Sequence, residues 1–164
     1  MFSKILFPGC RLGFIAAGPE LIEQLVAFRS IVNHKSNVLV QAAVGQWMRE
    51  GGLERHLRKT TKIYHQRQQF MSGLVNLAIN DGLIEHYDIP NGGMAFWLKL
   101  SGNANIIEEK AKQAGIYIQT EKHFHLHQHN NKNQYMRLGF AGQNENGISD
   151  GFSKLLNIIE STNH

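Results

Sequence analysis

Residues 3–14 read Ser3-Lys4-Ile5-Leu6-Phe7-Pro8-Gly9-Cys10-Arg11-Leu12-Gly13-Phe14. With Met1 and Phe2 this opening is apolar and slightly basic. However, Pro8, Gly9 and Arg11 interrupt the apolar run, so it makes a poor signal peptide. Cys10 is the single cysteine of the chain. One thiol rules out an internal disulfide and fits a reducing compartment, so a cytoplasmic location is expected.

Moving outward, residues 12–17 (LGFIAA) form an uninterrupted apolar run closed by Gly18-Pro19, and read as a short buried strand. Pro19 suits the first turn of a helix, with Glu20 and Glu23 near its positive end. Leu21, Ile22, Leu25, Phe28 and Val32 then recur at helical spacing. A second helix is expected over residues 38–49, stopped by Gly51-Gly52. A third and longest one runs from Leu53 to about Ile79, with Leu57, Tyr64, Met71, Leu74, Val75 and Ala78 on its apolar stripe. Arg55, Arg58, Lys59, Lys62 and Arg67 lie mostly off that stripe, as a solvated face does.

After the turn signal Asn80-Asp81-Gly82 the character changes. Strands are expected over residues 83–88, 94–100 (MAFWLKL), 116–118 and 135–140 (YMRLGF), with helices over 104–114 and 147–161. That gives a compact β-β-α-β-β-α unit. The first half instead offers one strand and three helices with wide apolar faces. A lone strand leaves its backbone groups unsatisfied, so a covering sheet is expected from residues ahead of Met1 or from another chain.

The bulk numbers agree with a globular protein: 164 residues, 42% hydrophobic and 18% charged, long enough for a real core. No window approaches the roughly 18–20 consecutive apolar residues of a membrane span. The net charge of +4 leaves open a nucleic-acid binder using the face from Arg55 to Arg67.

Residues 3–14 resemble the cofactor-lysine segment of fold-type-I aminotransferases. The closest flavour is the aminotransferase-like half of MocR-type regulators of the GntR family, where an LFPG-x-RLG run is typical; 2-aminoadipate and kynurenine aminotransferases look similar. The resemblance continues through Gln41-Ala42-Ala43, residues 52–58 (GLERHLR), Tyr64, Pro90-Asn91-Gly92-Gly93-Met94 and residues 136–141 (MRLGFA). It thus covers essentially the whole chain in the right order. What it implies is an α/β protein of the pyridoxal-phosphate-dependent transferase fold type I, truncated. Residues 1–52 would be the tail of the large cofactor-binding domain, 53–80 a long connecting helix, and 81–164 a small C-terminal α+β domain.

The resemblance also implies the site. Pyridoxal 5'-phosphate chemistry needs one lysine amine to join the cofactor aldehyde and later move protons at the substrate α-carbon, and this is Lys4. Arg11 would grip the phosphate, since a guanidinium forms bidentate pairs with such oxygens. The Ser3 hydroxyl would be a lesser partner. Arg137 would take the carboxylate of an amino-acid or 2-oxo-acid substrate, and Gly93, with Gly92, would let backbone approach the substrate pocket. A homodimer is implied, and DNA contact only through a winged-helix domain that this sequence does not contain.

The departures are equally informative. The family's aspartate at the pyridine nitrogen, its stacked aromatic residue, and its asparagine and tyrosine near the ring hydroxyl all precede the lysine. Met1 occupies a place where Ser or Thr is usual. Without the aspartate the electron sink is weak, so the isolated chain is expected to be inactive.

His123, His125, His127 and His129 alternate. In an extended strand they would share a face and could share a metal. The following Asn130-Asn131-Lys132-Asn133 points instead to a polar loop, and no carboxylate or second shell is evident, so no metal site is assigned. A rival of another class is a small non-catalytic protein that acts through dimerisation or interaction.

Overall fold

The computed structural model describes residues 2–33, 37–88, 92–125 and 133–163; of Ser3, Lys4 and Pro8 it describes the backbone. The chain divides into two compact units, Met1–Thr60 and Thr61–His164.

The first unit holds α1 (Phe2–Ile5), a 3-10 turn at Pro8–Cys10, α2 (Pro19–Val32), α3 (Val38–Arg49) and the start of α4 (Gly52–Asn80). Pro19 opens α2 after the extended Gly18, with Glu20 in its first turn and Arg29 in its last, the charge order a helix dipole favours. Asn37 caps α3 by accepting from the Val40 N–H at 3.2 Å. Neither α2 nor α3 has a buried residue. Phe28 is 64% exposed, Ile31 78% and Leu39 83%.

Residues 12–17 depart from the expected strand: they are irregular, with Phe14 and Ile15 exposed. No strand among the described residues of this unit offers a ladder partner, and apolar content alone does not make a strand without one.

The second unit is a two-layer α+β sandwich. Its strands are β1 (Ile84–Asp88), β2 (Ala95–Leu100), β3 (Gln119–Thr120) and β4 (Tyr135–Gly139), with α5 (Ala104–Gln113) after β2 and α6 (Glu145–Asn163) after β4. The sheet order is β1-β2-β4-β3, with every pairing antiparallel. Strand alternation sends Phe96, Leu98 and Leu100 of β2, and Met136 and Leu138 of β4, into one core. They meet Met71, Val75 and Ala78 of α4, Ile107 of α5, and Phe152, Leu155 and Ile159 of α6. Ala95, Trp97 and Lys99 fall on the other side of β2, and Tyr135 and Arg137 on the other side of β4.

Helix ends follow the sequence closely. Gly82 (φ 74) ends α4: its N–H donates to Ile79 O and that of Leu83 to Ala78 O, both at 3.0 Å. Gly115 (φ 77) repeats the arrangement after α5, with Gly115 N–H to Lys112 O at 3.1 Å and Ile116 N–H to Ala111 O at 2.8 Å. Both are the left-handed cap that glycine supplies at low cost.

That second cap explains a further departure. The strand expected at 116–118 is displaced to Gln119–Thr120. Ile116 is used by the helix cap, Ile118 drops into the core, and pairing with β4 begins only at Gln119 opposite Arg137.

Candidate functional site

The expected cofactor residues lie in the first unit. Ser3 and Lys4 are in α1, and their side chains are outside what the structure describes. The loop holding them is closed on itself: Phe2 N–H donates to Leu12 O at 3.0 Å, and Cys10 N–H to Phe7 O at 3.1 Å. It is tied to α4 by His56, whose Nε2 donates to Ile5 O at 2.8 Å; the His56 ring in turn sits edge-on to Trp47, 5.9 Å between centroids. Cys10 is buried in this loop. Arg11 is exposed and has φ 46, making it the one non-glycine residue with positive φ among those described. Side chains adopt that conformation at a cost of about 1–3 kcal/mol, and such residues cluster at binding sites. A chain segment of eleven residues thus returns to its start with Ser3, Lys4 and Arg11 on one small loop.

The expected substrate residues lie in the second unit. Gly93 has φ 104, a region that favours glycine. It is exposed and leads directly into β2. Pro90 and Asn91, which the sequence placed beside it, fall outside the described residues. Arg137 is exposed on the outer face of the sheet. Register puts it in a row that crosses all four strands: Asp88 faces Trp97, Trp97 faces Arg137, and Arg137 faces Gln119. The Arg137 Nη1 donates to Gln119 Oε1 at 3.3 Å. Among the described residues Arg137 makes no ion pair.

The neighbouring residues were not singled out from the sequence. Trp97 stacks on Tyr135, with centroids 5.9 Å apart and an interplanar angle of 11°. Phe124 meets its edge at 5.4 Å and 79°. An open groove of about 260 Å3 runs past Asp88, Ala95, Phe96, Trp97 and Arg137. The signal was available: alternation in MAFWLKL and YMRLGF sets Trp97 on the same face as Arg137 once the two strands pair.

The histidine stretch divides. His123 closes the 3-10 turn Glu121–His123, and its Nε2 donates to Glu108 Oε1 at 2.6 Å. His125 Nε2 lies 3.7 Å from Glu121 Oε2. His127 and His129 fall outside the described residues. Among the described residues no group of three or more His, Cys, Asp or Glu side chains is placed to hold a metal. Glu108 is a structural hub, accepting from the buried Thr120 hydroxyl at 2.5 Å and pairing with Lys122 at 3.1 Å. Burial pushes its carboxyl up, but the hydrogen bonds from Thr120, His123 and Lys122 outweigh burial and hold it below the ordinary value.

Compared with known proteins, the chain matches the family model for aminotransferase class I and II over residues 2–155. The chain belongs to the aminotransferase class I and II family. It is 31% identical over 162 residues to aromatic-amino-acid aminotransferase 1 of Thermococcus litoralis, covering 97% of this chain and 38% of that protein. It is 26% identical, over 97% of its length, to the HTH-type transcriptional regulator NorG of Staphylococcus aureus, of which it spans 35%. The chain therefore spans well under half the length of the curated relatives named here.

The fold agrees with the family. The alpha-aminoadipate aminotransferase LysN of Thermus thermophilus, solved with N-(5'-phosphopyridoxyl)-L-leucine, superposes with a TM-score of 0.86 at 24% identity, covering 98% of this chain and 41% of LysN. The multiple substrate aminotransferase of Thermococcus profundus superposes with a TM-score of 0.84 at 27% identity, covering 99% of this chain and 40% of its own. The architecture is that of fold-type-I aminotransferases over this stretch, and pyridoxal phosphate is the cofactor of that family.

Proposed function

We propose that this chain is the part of a pyridoxal-phosphate-dependent aminotransferase-like protein that carries the cofactor lysine and the substrate-carboxylate arginine. Residues 1–52 belong to the large cofactor-binding domain, 53–80 form the connecting helix and 81–164 the small domain. The observation that supports this reading best is the closed loop between Phe2 and Leu12, with Lys4 near one end and the left-handed Arg11 at the other.

The residues present fit the cofactor in kind. Arg11 and the Ser3 hydroxyl are suited to hold the phosphate. Lys4 is the amine that joins the aldehyde and moves a proton at the substrate α-carbon. The bound group supplies the electron sink for that carbon. Arg137 orients a 2-oxo or amino acid by its carboxylate, and Gly93 keeps side-chain bulk away from the approach to β2. The chain alone holds no aspartate assigned to the ring nitrogen, so it binds the cofactor without turning over substrate. In the whole protein the activity is either amino-acid transamination, as named for the Thermococcus litoralis relative, or amino-acid and cofactor sensing for a DNA-binding domain of a MocR-type regulator, a reading in keeping with the transcriptional regulator named for the Staphylococcus aureus relative. The setting is cytoplasmic.

The test is paired. The chain mixed with pyridoxal phosphate and an amino-acid and 2-oxo-acid pair should label at Lys4 on reduction while forming no product amino acid. Product formation by the chain alone contradicts the second half, and an unlabelled Lys4 the first.

A second reading has its own observation: α2 and α3 bury none of their residues. Exposed apolar patches of this extent mark association surfaces, so the chain forms a homodimer or docks on a partner. Light scattering showing a monomer at high concentration contradicts it.

A further inference from the structure

We propose that the outer face of the second unit's sheet seats an aromatic ring bearing a carboxylate, with Trp97 against the ring and Arg137 on the carboxylate. This rests on the assignment of Arg137 to a substrate carboxylate made above, and adds the part of the ligand that Trp97 reads. The substrate class is accordingly aromatic amino acids and their 2-oxo acids.

Three features carry it. First, the Trp97 indole is held in one orientation by the stacked Tyr135 and the edge of Phe124. Two contacts on a half-buried ring remove the rotamer freedom that a ligand would otherwise have to freeze. A planar ligand also gains from offset or edge geometry against an aromatic ring beyond simple burial.

Second, there is room beside it. The groove of about 260 Å3 has Ala95 among its walls, and Ala95 pairs with Gly139. Small residues at both places leave that end of the groove without side-chain bulk next to Trp97.

Third, the charges have a direction. Asp88 and Arg137 flank Trp97 on opposite strands in a single row, each neighbour about 4.8 Å from the next. A carboxylate is drawn to Arg137, whose hydrogen-bond partner Gln119 is neutral, and is repelled from the Asp88 side. One ligand orientation is therefore favoured over its reverse.

The test uses the whole chain and nitrogen-15 NMR. It has two tryptophans, Trp47 and Trp97, and W47F assigns their indole N–H signals. Titration with 3-phenylpropionate should move the Trp97 indole and the Arg137 side-chain N–H saturably and leave Trp47 unmoved. Propionate should bind at least about tenfold more weakly, having lost the buried ring. The saturated analogue 3-cyclohexylpropionate should bind roughly three- to tenfold more weakly, the increment an aromatic pair contributes. R137Q, with the second unit's amide spectrum unchanged, should weaken 3-phenylpropionate by about tenfold or more.

The two layers fail differently. If propionate leaves Arg137 unmoved and R137Q binds 3-phenylpropionate as the parent does, the carboxylate assignment is wrong, and the inference falls with it. If propionate moves Arg137 but the phenyl group adds no affinity and Trp97 does not shift, the carboxylate assignment stands and the ring seat is overturned. Neither outcome depends on cofactor capture at Lys4.

Discussion

Trp97 on β2 stands directly across the ladder from Arg137 on β4, so a planar apolar surface and a guanidinium without an ion pair among the described residues share one open sheet face. The opposite face of the same two strands is the core. The division is strict: Phe96, Leu98, Met136 and Leu138 stabilise the unit, while Trp97 and Arg137 lie on the open side, where we propose that a ligand binds.

From that division, Arg137→Gln should leave the stability of the second unit within about 0.5 kcal/mol, as exposed substitutions away from special features do. Urea unfolding followed by the second unit's amide signals checks this. A loss of several kcal/mol would mean that Arg137 is structural.

Phe96→Ala should cost about 3–5 kcal/mol, the range for emptying an aromatic site in a core. Phe96 is buried between Phe140 at 5.3 Å and Tyr87 at 5.7 Å, so neighbouring rings have little freedom to close the cavity. The same urea experiment measures it.

Thr120 is the one buried polar residue among those described, and its hydroxyl donates to Glu108 at 2.5 Å. Thr120→Val should destabilise the second unit by about 1–3 kcal/mol, because the half-buried Glu108 Oε2 loses the shorter of its two contacts and keeps only Lys122 at 3.1 Å. Thr120→Ser, which keeps the hydroxyl, should lose less. A Ser variant as destabilised as the Val variant would mean that the methyl group matters as much as the hydroxyl, and would contradict a special role for the hydrogen bond.

The lowered Glu108 carboxyl makes a pH prediction of definite sign. A group whose folded pKa lies below its unfolded value contributes stability that is fully present above the unfolded value, about 4.3 for glutamate, and is lost as pH falls through the folded value. The urea midpoint of the second unit should therefore gain a falling limb below about pH 4.3. Glu108→Gln, which can still accept from Thr120, should flatten it. A parent and variant with the same acid limb contradict this.

Arg11 gives a prediction in which stability and binding part company. Glycine relieves positive φ, so Arg11→Gly should protect the loop-closing amides of Phe2 and Cys10 against hydrogen exchange by about 1 kcal/mol, while weakening capture of pyridoxal phosphate. An arginine without backbone strain would show no gain in protection.

Much of this was legible in the sequence, and unevenly so. The second unit is self-sufficient: its strands find partners within it, and its helices carry apolar stripes that those strands cover. Alternation and helical periodicity therefore located β1, β2, β4, α5 and α6 to within a residue or two. The 12–17 segment shows the limit. Its composition is that of a buried strand, but a strand is made by hydrogen bonds to another, and the described residues of its unit hold none. Likewise the strand expected at 116–118 moved because Ile116 satisfies a helix carbonyl first, a competition invisible to an apolar count. Motif resemblance pointed to Lys4, Ser3, Arg11, Arg137 and Gly93 one by one. It did not reveal Trp97, Tyr135 and Phe124 as a set, because their association depends on the β2–β4 register and on the turn that returns Phe124 to the sheet.

The most direct test of the central claim is reductive capture of the cofactor. The chain would be incubated with one equivalent of pyridoxal 5'-phosphate, reduced with borohydride, digested and mapped by mass spectrometry, alongside Arg11→Ala. The account predicts a pyridoxyl group on the peptide containing Lys4, strongly reduced in the Arg11 variant. Labelling spread evenly over the chain's other lysines, or labelling of Lys4 that ignores the loss of Arg11, would contradict it.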